Sequence, residues 1–149
     1  WDHRKLQEQF ETPICLDESI HGPYYARIAA ELNACRIINI KQGRVGGLAP
    51  ACEVHKIAQD KGIGVWCGSM LETGIGQAVN LAIASLPNFV YPNDIHESEL
   101  FWVKDLIDPP VTLNSDGTIS VPSEPGLGVK VNEDVLDYFT VAREVIRFR

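Results

Sequence analysis

The chain has 149 residues, of which 45% are hydrophobic and 22% charged, a composition typical of a globular domain with a sizeable core. Its net charge of −7 and its lack of a basic patch argue against a nucleic-acid partner, and no run is long and apolar enough to span a membrane. The four cysteines form no CxxC pair, so we expect free, mostly buried thiols in a reducing cytoplasm. The sequence begins at Trp1 directly in a helical pattern, so we expect it to be a piece of a longer chain.

Four short apolar runs, each followed by a helical pattern, predict four strand–helix units along residues 1–99. The runs do not alternate between polar and apolar residues, which indicates strands buried on both faces, as in a parallel sheet. Four such units amount to half of an eight-stranded (α/β) barrel, so we predict an α/β fold of this kind. The predicted strands are 14–17, 37–41, 64–67 and 89–91.

Proline and glycine mark the predicted helices of the same region. Residues 4–10 are predicted to be the last part of a helix. Pro23 begins a second helix, and Pro50 begins a third that ends at Gly62. A fourth helix is predicted at 75–86. The helix after Pro50 is expected to turn residues 54, 57 and 58 inward. The helix after Pro23 is expected to bury four residues at helical spacing: Tyr24, Ile28, Leu32 and Cys35.

Half a barrel leaves two unpaired edges and an uncovered inner face, so we expect the isolated chain to oligomerise, aggregate or bind a complementary half. Residues 100–149 do not continue the barrel pattern, and we expect this tail to pack on another domain. It contains a predicted hairpin over 111–121 with an Asp116-Gly117 turn and a short helix over 133–139 that Asn132 caps. The last run, 141–149, is compatible with strand or helix.

Asp17 and Glu18 directly follow the first predicted strand, and charged residues at the carboxyl ends of barrel strands usually carry the chemistry. Adjacent residues point to opposite faces of a strand, so one carboxylate can face the barrel mouth while the other supports it. A carboxylate in the mouth suits a hard cation such as Mg²⁺, which prefers oxygen ligands. A solvated strand end that caps the next helix explains the same residues equally well.

Lys41 ends the second predicted strand. Nearby cations and apolar walls favour the neutral form of a lysine, which lets it act as a proton-transfer base. The alternative is a surface lysine, and the buried run that ends at Ile40 argues against it. Asn39 shares a face of the strand with Lys41, so we predict that it orients the amine.

The other candidates lie on loops that follow predicted strands. The turn 43–47 is rich in glycine but has neither the GxGxxG nor the Walker spacing, so a tight strand-to-helix turn is favoured over a phosphate loop. Ser69, Met70 and Glu72 can contact a substrate, with loop packing as the alternative. Asp94, after the fourth strand, is open to the same two interpretations, and the four histidines show no metal-ligand spacing.

At these residues the sequence resembles the enolase superfamily, in its muconate-lactonizing subgroup. The matching segments are ICLDESI at 14–20, NIK at 39–41, GRVGG at 43–47 and VWCGSMLE at 65–72. Within the subgroup they are most similar to o-succinylbenzoate synthases and N-acylamino acid (N-succinylamino acid) racemases. The resemblance implies that 1–99 is the C-terminal half of the barrel, strands five to eight. It also implies that 100–149, through PGLGV at 125–129, returns to a capping domain.

The resemblance also implies roles for the matching residues. Asp17 corresponds to the third carboxylate ligand of an essential Mg²⁺, Glu18 to an acid beside that metal, and Lys41 to the acid/base lysine. The stretch 68–70, which begins at Gly68, corresponds to a loop that touches the substrate. The implied enzyme removes a proton alpha to the carboxylate of a small substrate and holds the enediolate on Mg²⁺. Its reaction is the dehydration of menaquinone biosynthesis or a racemisation, and it forms homo-oligomers when full-length.

Three features of the family lie outside the sequence: its Lys-x-Lys motif, its first two metal carboxylates and its N-terminal capping domain. We therefore expect the missing N-terminal half to be a partner and the chain alone to be inactive. The alternatives are muconate cycloisomerisation, dipeptide epimerisation, and a non-catalytic fragment that completes a barrel. The run Asp94-Ile95-His96 lacks the Asp-x-Asp pattern of dipeptide epimerases, which argues against epimerisation.

Overall fold

The structure, a computed structural model, describes residues 1–147. Its barrel-like part alternates strands with helices, and a 3₁₀ turn at Ser98–Leu100 leads into the tail. The strands are β1 Cys15–Leu16, β2 Ile37–Ile40, β3 Gly64–Cys67, β4 Ile107–Asp108 and β5 Lys130–Val131. The helices are α1 Asp2–Gln9, α2 Pro23–Glu31, α3 Gln42–Val45, α4 Leu48–Asp60, α5 Gly74–Ala84 and α6 Glu133–Phe139. Among the described residues, no helix has the length and apolar character needed to cross a membrane.

The first three strands form a parallel sheet in the order β1-β2-β3, in which Leu16, Ile38 and Val65 are aligned. Helix α4 packs against β2, β3 and α2, so one face of the sheet is covered by helices. The aligned strand residues are at most 4% exposed, and Val54 and Ala58 of α4 are fully buried against the same core. The predicted α/β half-barrel is therefore confirmed.

Helix α2 buries small residues that the prediction did not name, and of the predicted row Leu32 packs partly buried against the core. Ala26, Ala29 and Ala30 are at most 6% exposed, whereas Tyr24 is 67% exposed, so the prediction for Tyr24 was wrong. Three small side chains on neighbouring turns give α2 a surface against which α4 packs closely, which leaves the bulky tyrosine to solvent. Cys35 is buried as predicted, and burial raises the pKa of its thiol to about 12.

The predicted fourth strand forms two isolated bridges in place of a continuous strand. Phe89 pairs with Val65 and Asp94 pairs with Gly68, both in the parallel sense of the sheet. Pro92 lies between these bridges and has no backbone N–H to donate to the ladder. The side chain of Asn93 accepts from the Cys67 N–H at 2.8 Å, in a position where a strand would offer a backbone carbonyl.

The tail follows the prediction at two places. Asn132 caps α6 with a side-chain oxygen that accepts from the Val135 N–H at 3.2 Å. The predicted hairpin is reduced to one antiparallel bridge, between Leu113 and Ile119, and its tight turn ends at Gly117 with φ +82°. Residues 141–147 form neither strand nor helix, and the rest of the run 141–149 lies outside the described residues.

The sheet face opposite the helices is exposed at its edge. Cys15, on β1, is exposed, and its sulfur accepts from the Trp66 indole N–H at 3.3 Å. The four cysteines are free: Cys35 and Cys67 are buried, whereas Cys15 and Cys52 are exposed. The expectation of mostly buried thiols therefore holds for two of the four cysteines, and β1 turns Cys15 to the face that the described residues leave uncovered.

The tail is joined to the start of α5 by Asp105. One carboxylate oxygen of Asp105 accepts from the backbone N–H of Gly74 at 2.7 Å, and the other accepts from the Ser98 hydroxyl. A Cβ on Gly74 would lie 2.5 Å from Asp105 Oδ2 and 2.3 Å from a side-chain carbon of Ile107, so only glycine fits there. The tail thus caps a barrel helix.

Replacing Asp105 by alanine should loosen the first turn of α5, because a lost cap costs about 1–2 kcal/mol. Amide hydrogen exchange over α5 measures the effect as reduced protection of its first turns. The matched control is Glu99→Ala, since Glu99 is an exposed acid in the same segment and has no bond to α5. Equal protection of α5 in both variants would contradict the capping role.

Candidate active site

The ends of three parallel strands bring the main candidate residues to one edge of the sheet. Asp17 follows β1, Lys41 follows β2, and Ser69 follows β3 by two residues. The Lys41 ammonium donates to the Ser69 carbonyl at 2.7 Å, so the lysine reaches across to the next strand's loop. Because the carboxyl ends of parallel strands meet at one edge, residues 28 positions apart in sequence become neighbours.

Asn39 contacts Asp17, whereas we predicted that it would orient Lys41. Its side-chain N–H donates to Asp17 Oδ2 at 3.1 Å, and the residue is fully buried. The amide therefore holds the carboxylate at the strand end. A Cβ on Gly68 would lie 2.5 Å from the Asn39 side-chain oxygen, which explains a glycine at the end of β3.

Arg44 is a site residue that the sequence analysis missed. Its guanidinium forms an ion pair with Asp17 Oδ1 and donates to the backbone carbonyls of Asn39 and Ile20, at 2.5 and 3.0 Å. The Arg44 side chain is only 10% exposed, and burial lowers its pKa. The glycine-rich turn places it there, because α3 ends at Gly46 in the left-handed region at φ +103°. That turn is the strand-to-helix connection that the sequence favoured.

The loop after β3 is held by its own polar side chains. The Ser69 hydroxyl donates to Glu72 Oε2 at 2.9 Å, and the Met70 N–H donates to the same oxygen at 2.6 Å. Burial acts to raise the pKa of Glu72, but these hydrogen bonds stabilise the carboxylate and the net pKa is lowered. Glu72 is thus an ionised residue that shapes the loop.

A buried pair beneath this loop also escaped the sequence analysis. Gln77, on α5, is 1% exposed and donates to the Ser69 hydroxyl at 3.3 Å. His96 is 7% exposed, and its Nε2 lies 2.6 Å from the Gln77 side-chain nitrogen. Helical periodicity predicts burial of Gln77 but not its partner, which lies 19 residues away.

The other predicted residues lie at the surface of this edge. Met70 is 55% exposed, and Glu18 and Asp94 are also exposed. Asp94 is fixed by its backbone, whose N–H donates to the Cys67 carbonyl at 2.8 Å. The assignment of Glu18 as an acid beside a metal, and of Met70 and Asp94 to substrate contact, stays a prediction.

The strand order, the parallel register and the polar strand ends together point to a barrel enzyme half. The enolase C-terminal domain-like family matches residues 1–135 of the chain. The chain belongs to this family. The resemblance to the enolase superfamily that the sequence predicted is therefore confirmed.

Relatives of this enolase-type chain extend the match. It is 48% identical to an o-succinylbenzoate synthase of Bacillus subtilis over 144 aligned residues. The alignment covers 97% of this chain and 38% of that protein. It is also 48% identical over 141 residues to an N-succinylamino acid racemase of an Amycolatopsis species, which covers 95% and 38% respectively. A crystal structure of an enolase superfamily member from Listeria innocua superposes with a TM-score of 0.87 at 41% identity, over 95% of this chain and 38% of that chain. The chain thus spans about two fifths of the length of these relatives.

One side chain at the strand ends has the chemistry of a Mg²⁺ ligand. The Asp17 carboxylate is a hard oxygen donor that is 30% exposed, which suits this ion. Within residues 1–147, no group of three or more His, Cys, Asp or Glu side chains is arranged to hold a metal. The described residues therefore fit one part of a Mg²⁺ site, in which Asp17 would be a ligand.

Proposed function

We propose that this chain supplies part of the active site of a Mg²⁺-dependent enzyme that abstracts a proton alpha to a carboxylate. Candidate reactions are the dehydration catalysed by o-succinylbenzoate synthases and the racemisation of N-acylamino acids. The observation that carries the proposal is the position of Asp17 and Lys41 at neighbouring strand ends, with Lys41 bonded to the Ser69 carbonyl. The 48% identity to members with these two activities supports the choice of reaction.

Each residue has a task in the proposed mechanism. The Lys41 Nζ moves the proton at the substrate alpha carbon, and its bond to the Ser69 carbonyl keeps the amine at the strand ends. Asp17 would hold Mg²⁺, which when bound supplies positive charge against the charge that develops on the substrate carboxylate. Asn39 holds Asp17 in place, and the loop built by Glu72 faces the same edge, where it would border the substrate.

The active enzyme requires more than the described residues. We propose that a complementary N-terminal half supplies two further carboxylate ligands and a second lysine, and covers the sheet face that carries Cys15 and Trp66. Two observations support this view: the thiol of Cys15 is exposed, and no three His, Cys, Asp or Glu side chains of residues 1–147 are grouped to hold a metal. On this proposal the chain alone is inactive. The second candidate function, a non-catalytic fragment that completes a barrel, rests on the same lack of a three-residue metal group among residues 1–147.

Assays of the full-length enzyme test the proposed function. We expect it to dehydrate the o-succinylbenzoate synthase substrate or to exchange the alpha proton of N-acylamino acids with D₂O, in either case only with a divalent cation. Treatment with EDTA should reduce the rate by about 10²-fold or more, and Mg²⁺ should restore it. Turnover of both substrates would indicate a promiscuous enzyme. Activity that survives metal removal would contradict the proposed Mg²⁺ chemistry. No turnover of either substrate would contradict the proposal as a whole and favour the non-catalytic fragment.

A further inference from the structure

The loop after β3, whose Ser69 carbonyl holds Lys41, is contacted by residues 96–105, the segment in which the barrel half passes into the tail. The Trp102 indole N–H donates to the Glu72 carbonyl at 3.3 Å, and Asp105 accepts from the Gly74 N–H at 2.7 Å. His96 reaches the same loop through Gln77. Three contacts from one segment of ten residues therefore act on the stretch that carries the Ser69 carbonyl.

The contacts of His96 form a continuous chain to Lys41. His96 Nε2 meets the Gln77 side-chain nitrogen at 2.6 Å, and the same nitrogen donates to the Ser69 hydroxyl at 3.3 Å. Ser69 in turn accepts from Lys41 with its carbonyl at 2.7 Å. Both intermediate residues are less than 9% exposed, so water does not compete freely for these bonds.

The contacts of the Gln77 amide determine which atom donates and which accepts in each of these bonds. The Gln77 oxygen accepts from Asn80 at 3.4 Å, which leaves the Gln77 nitrogen to face His96. An amide nitrogen only donates, so His96 Nε2 must accept and the ring proton must be on Nδ1. The Nδ1–H of His96 donates to the Glu97 carbonyl at 3.0 Å. The Phe101 and His96 rings pack edge to face, with their centroids 4.5 Å apart. Both ring nitrogens of His96 therefore have a hydrogen-bond partner.

We propose that His96 is a positioning residue for Lys41 and acts through Gln77 and Ser69. It touches neither substrate nor metal in this scheme. It fixes the Gln77 amide, which fixes the Ser69 hydroxyl and thereby the carbonyl that holds the lysine. The inference rests on the proposed function, because it takes Lys41 as the group that moves the alpha proton.

Displacing Lys41 should slow alpha-proton exchange on one face of the substrate only. Lys41 reaches the alpha carbon from one side, so a displaced Lys41 slows exchange at that side only, whereas a general loss of structure slows both. A displacement of about 1 Å can cost up to about 10²-fold in rate, so we expect a loss of about tenfold or more. The effect should appear in kcat and leave KM within about twofold.

The test uses the full-length enzyme with each enantiomer of an N-acylamino acid in D₂O. In His96→Leu, exchange of the enantiomer served by Lys41 should fall about tenfold or more while the other stays within about twofold. His96→Gln places an amide oxygen near the Nε2 position and should restore the rate. Gln77→Met removes the middle link and should reproduce the loss, which keeps the test available if His96→Leu fails to fold.

The matched control is His55→Leu. His55 is also 7% exposed, but its ring bonds the Pro87 carbonyl and stacks on Phe89, away from the loop. The His55→Leu variant should change the stability of the fold but not the ratio of the exchange rates of the two enantiomers. Equal loss for both enantiomers in His96→Leu, or no loss, overturns the positioning role. Lys41→Arg is run beside it: if that variant exchanges both enantiomers at the wild-type rate, the proposed function of Lys41 fails first.

Discussion

Replacing Lys41 by arginine in the full-length enzyme should abolish alpha-proton exchange on one face of the substrate and leave the other face active. Arginine keeps the positive charge but does not deprotonate in proteins, so the variant separates proton transfer from electrostatics. A lost acid/base group costs about 10²- to 10⁴-fold. The upstream lysine that we propose for the complementary half should maintain exchange on the opposite face.

Incorporation of deuterium from D₂O into each enantiomer of an N-acylamino acid measures the two faces separately. The control is Lys61→Arg, because Lys61 is an exposed residue that follows α4 and precedes β3, at the edge of the parallel sheet opposite to the strand ends. It should exchange both enantiomers at the wild-type rate. If Lys41→Arg does the same, Lys41 is not the base and its bond to Ser69 has a structural purpose.

The parts of the fold that the sequence predicted well depend on local signals. Strand β3 was predicted over its observed bounds, because Gly62 and the following loop bracket a short apolar run. Helix α6 was predicted over its observed bounds, since Asn132 is a strong capping residue. The position of Lys41 at a strand end followed from the length of the buried run before it.

The parts that were missed depend on contacts between distant residues. The ion pair of Arg44 with Asp17 joins residues 27 positions apart, and no pattern within either segment specifies it. The pairing of His96 with Gln77 depends on how the segment just before the tail lies against α5. The fourth strand, predicted at 89–91, is reduced to single bridges at Phe89 and Asp94, and Pro92 between them cannot donate a backbone N–H to extend the ladder.

Replacing Asp17 by asparagine should weaken Mg²⁺ binding and activity together in the full-length enzyme. The change removes a charged oxygen ligand while keeping the size of the side chain, so we expect the affinity for Mg²⁺ to fall by more than about tenfold. Titration calorimetry measures the affinity, and the exchange assay measures the rate. An unchanged affinity would remove Asp17 from the metal site.

The structure supplies a control for this experiment, because Asp17 also pairs with Arg44. The asparagine variant leaves the largely buried guanidinium without its carboxylate, and that loss alone can distort the strand end. Arg44→Met breaks the same ion pair but keeps the carboxylate. If Asp17 is a ligand, Arg44→Met should bind Mg²⁺ at least as tightly as the wild type, since a competing cation has been removed. If Asp17→Asn and Arg44→Met lose affinity for Mg²⁺ equally, the ion pair between Asp17 and Arg44 organises the site. The loss in Asp17→Asn would then not indicate that Asp17 coordinates the metal directly.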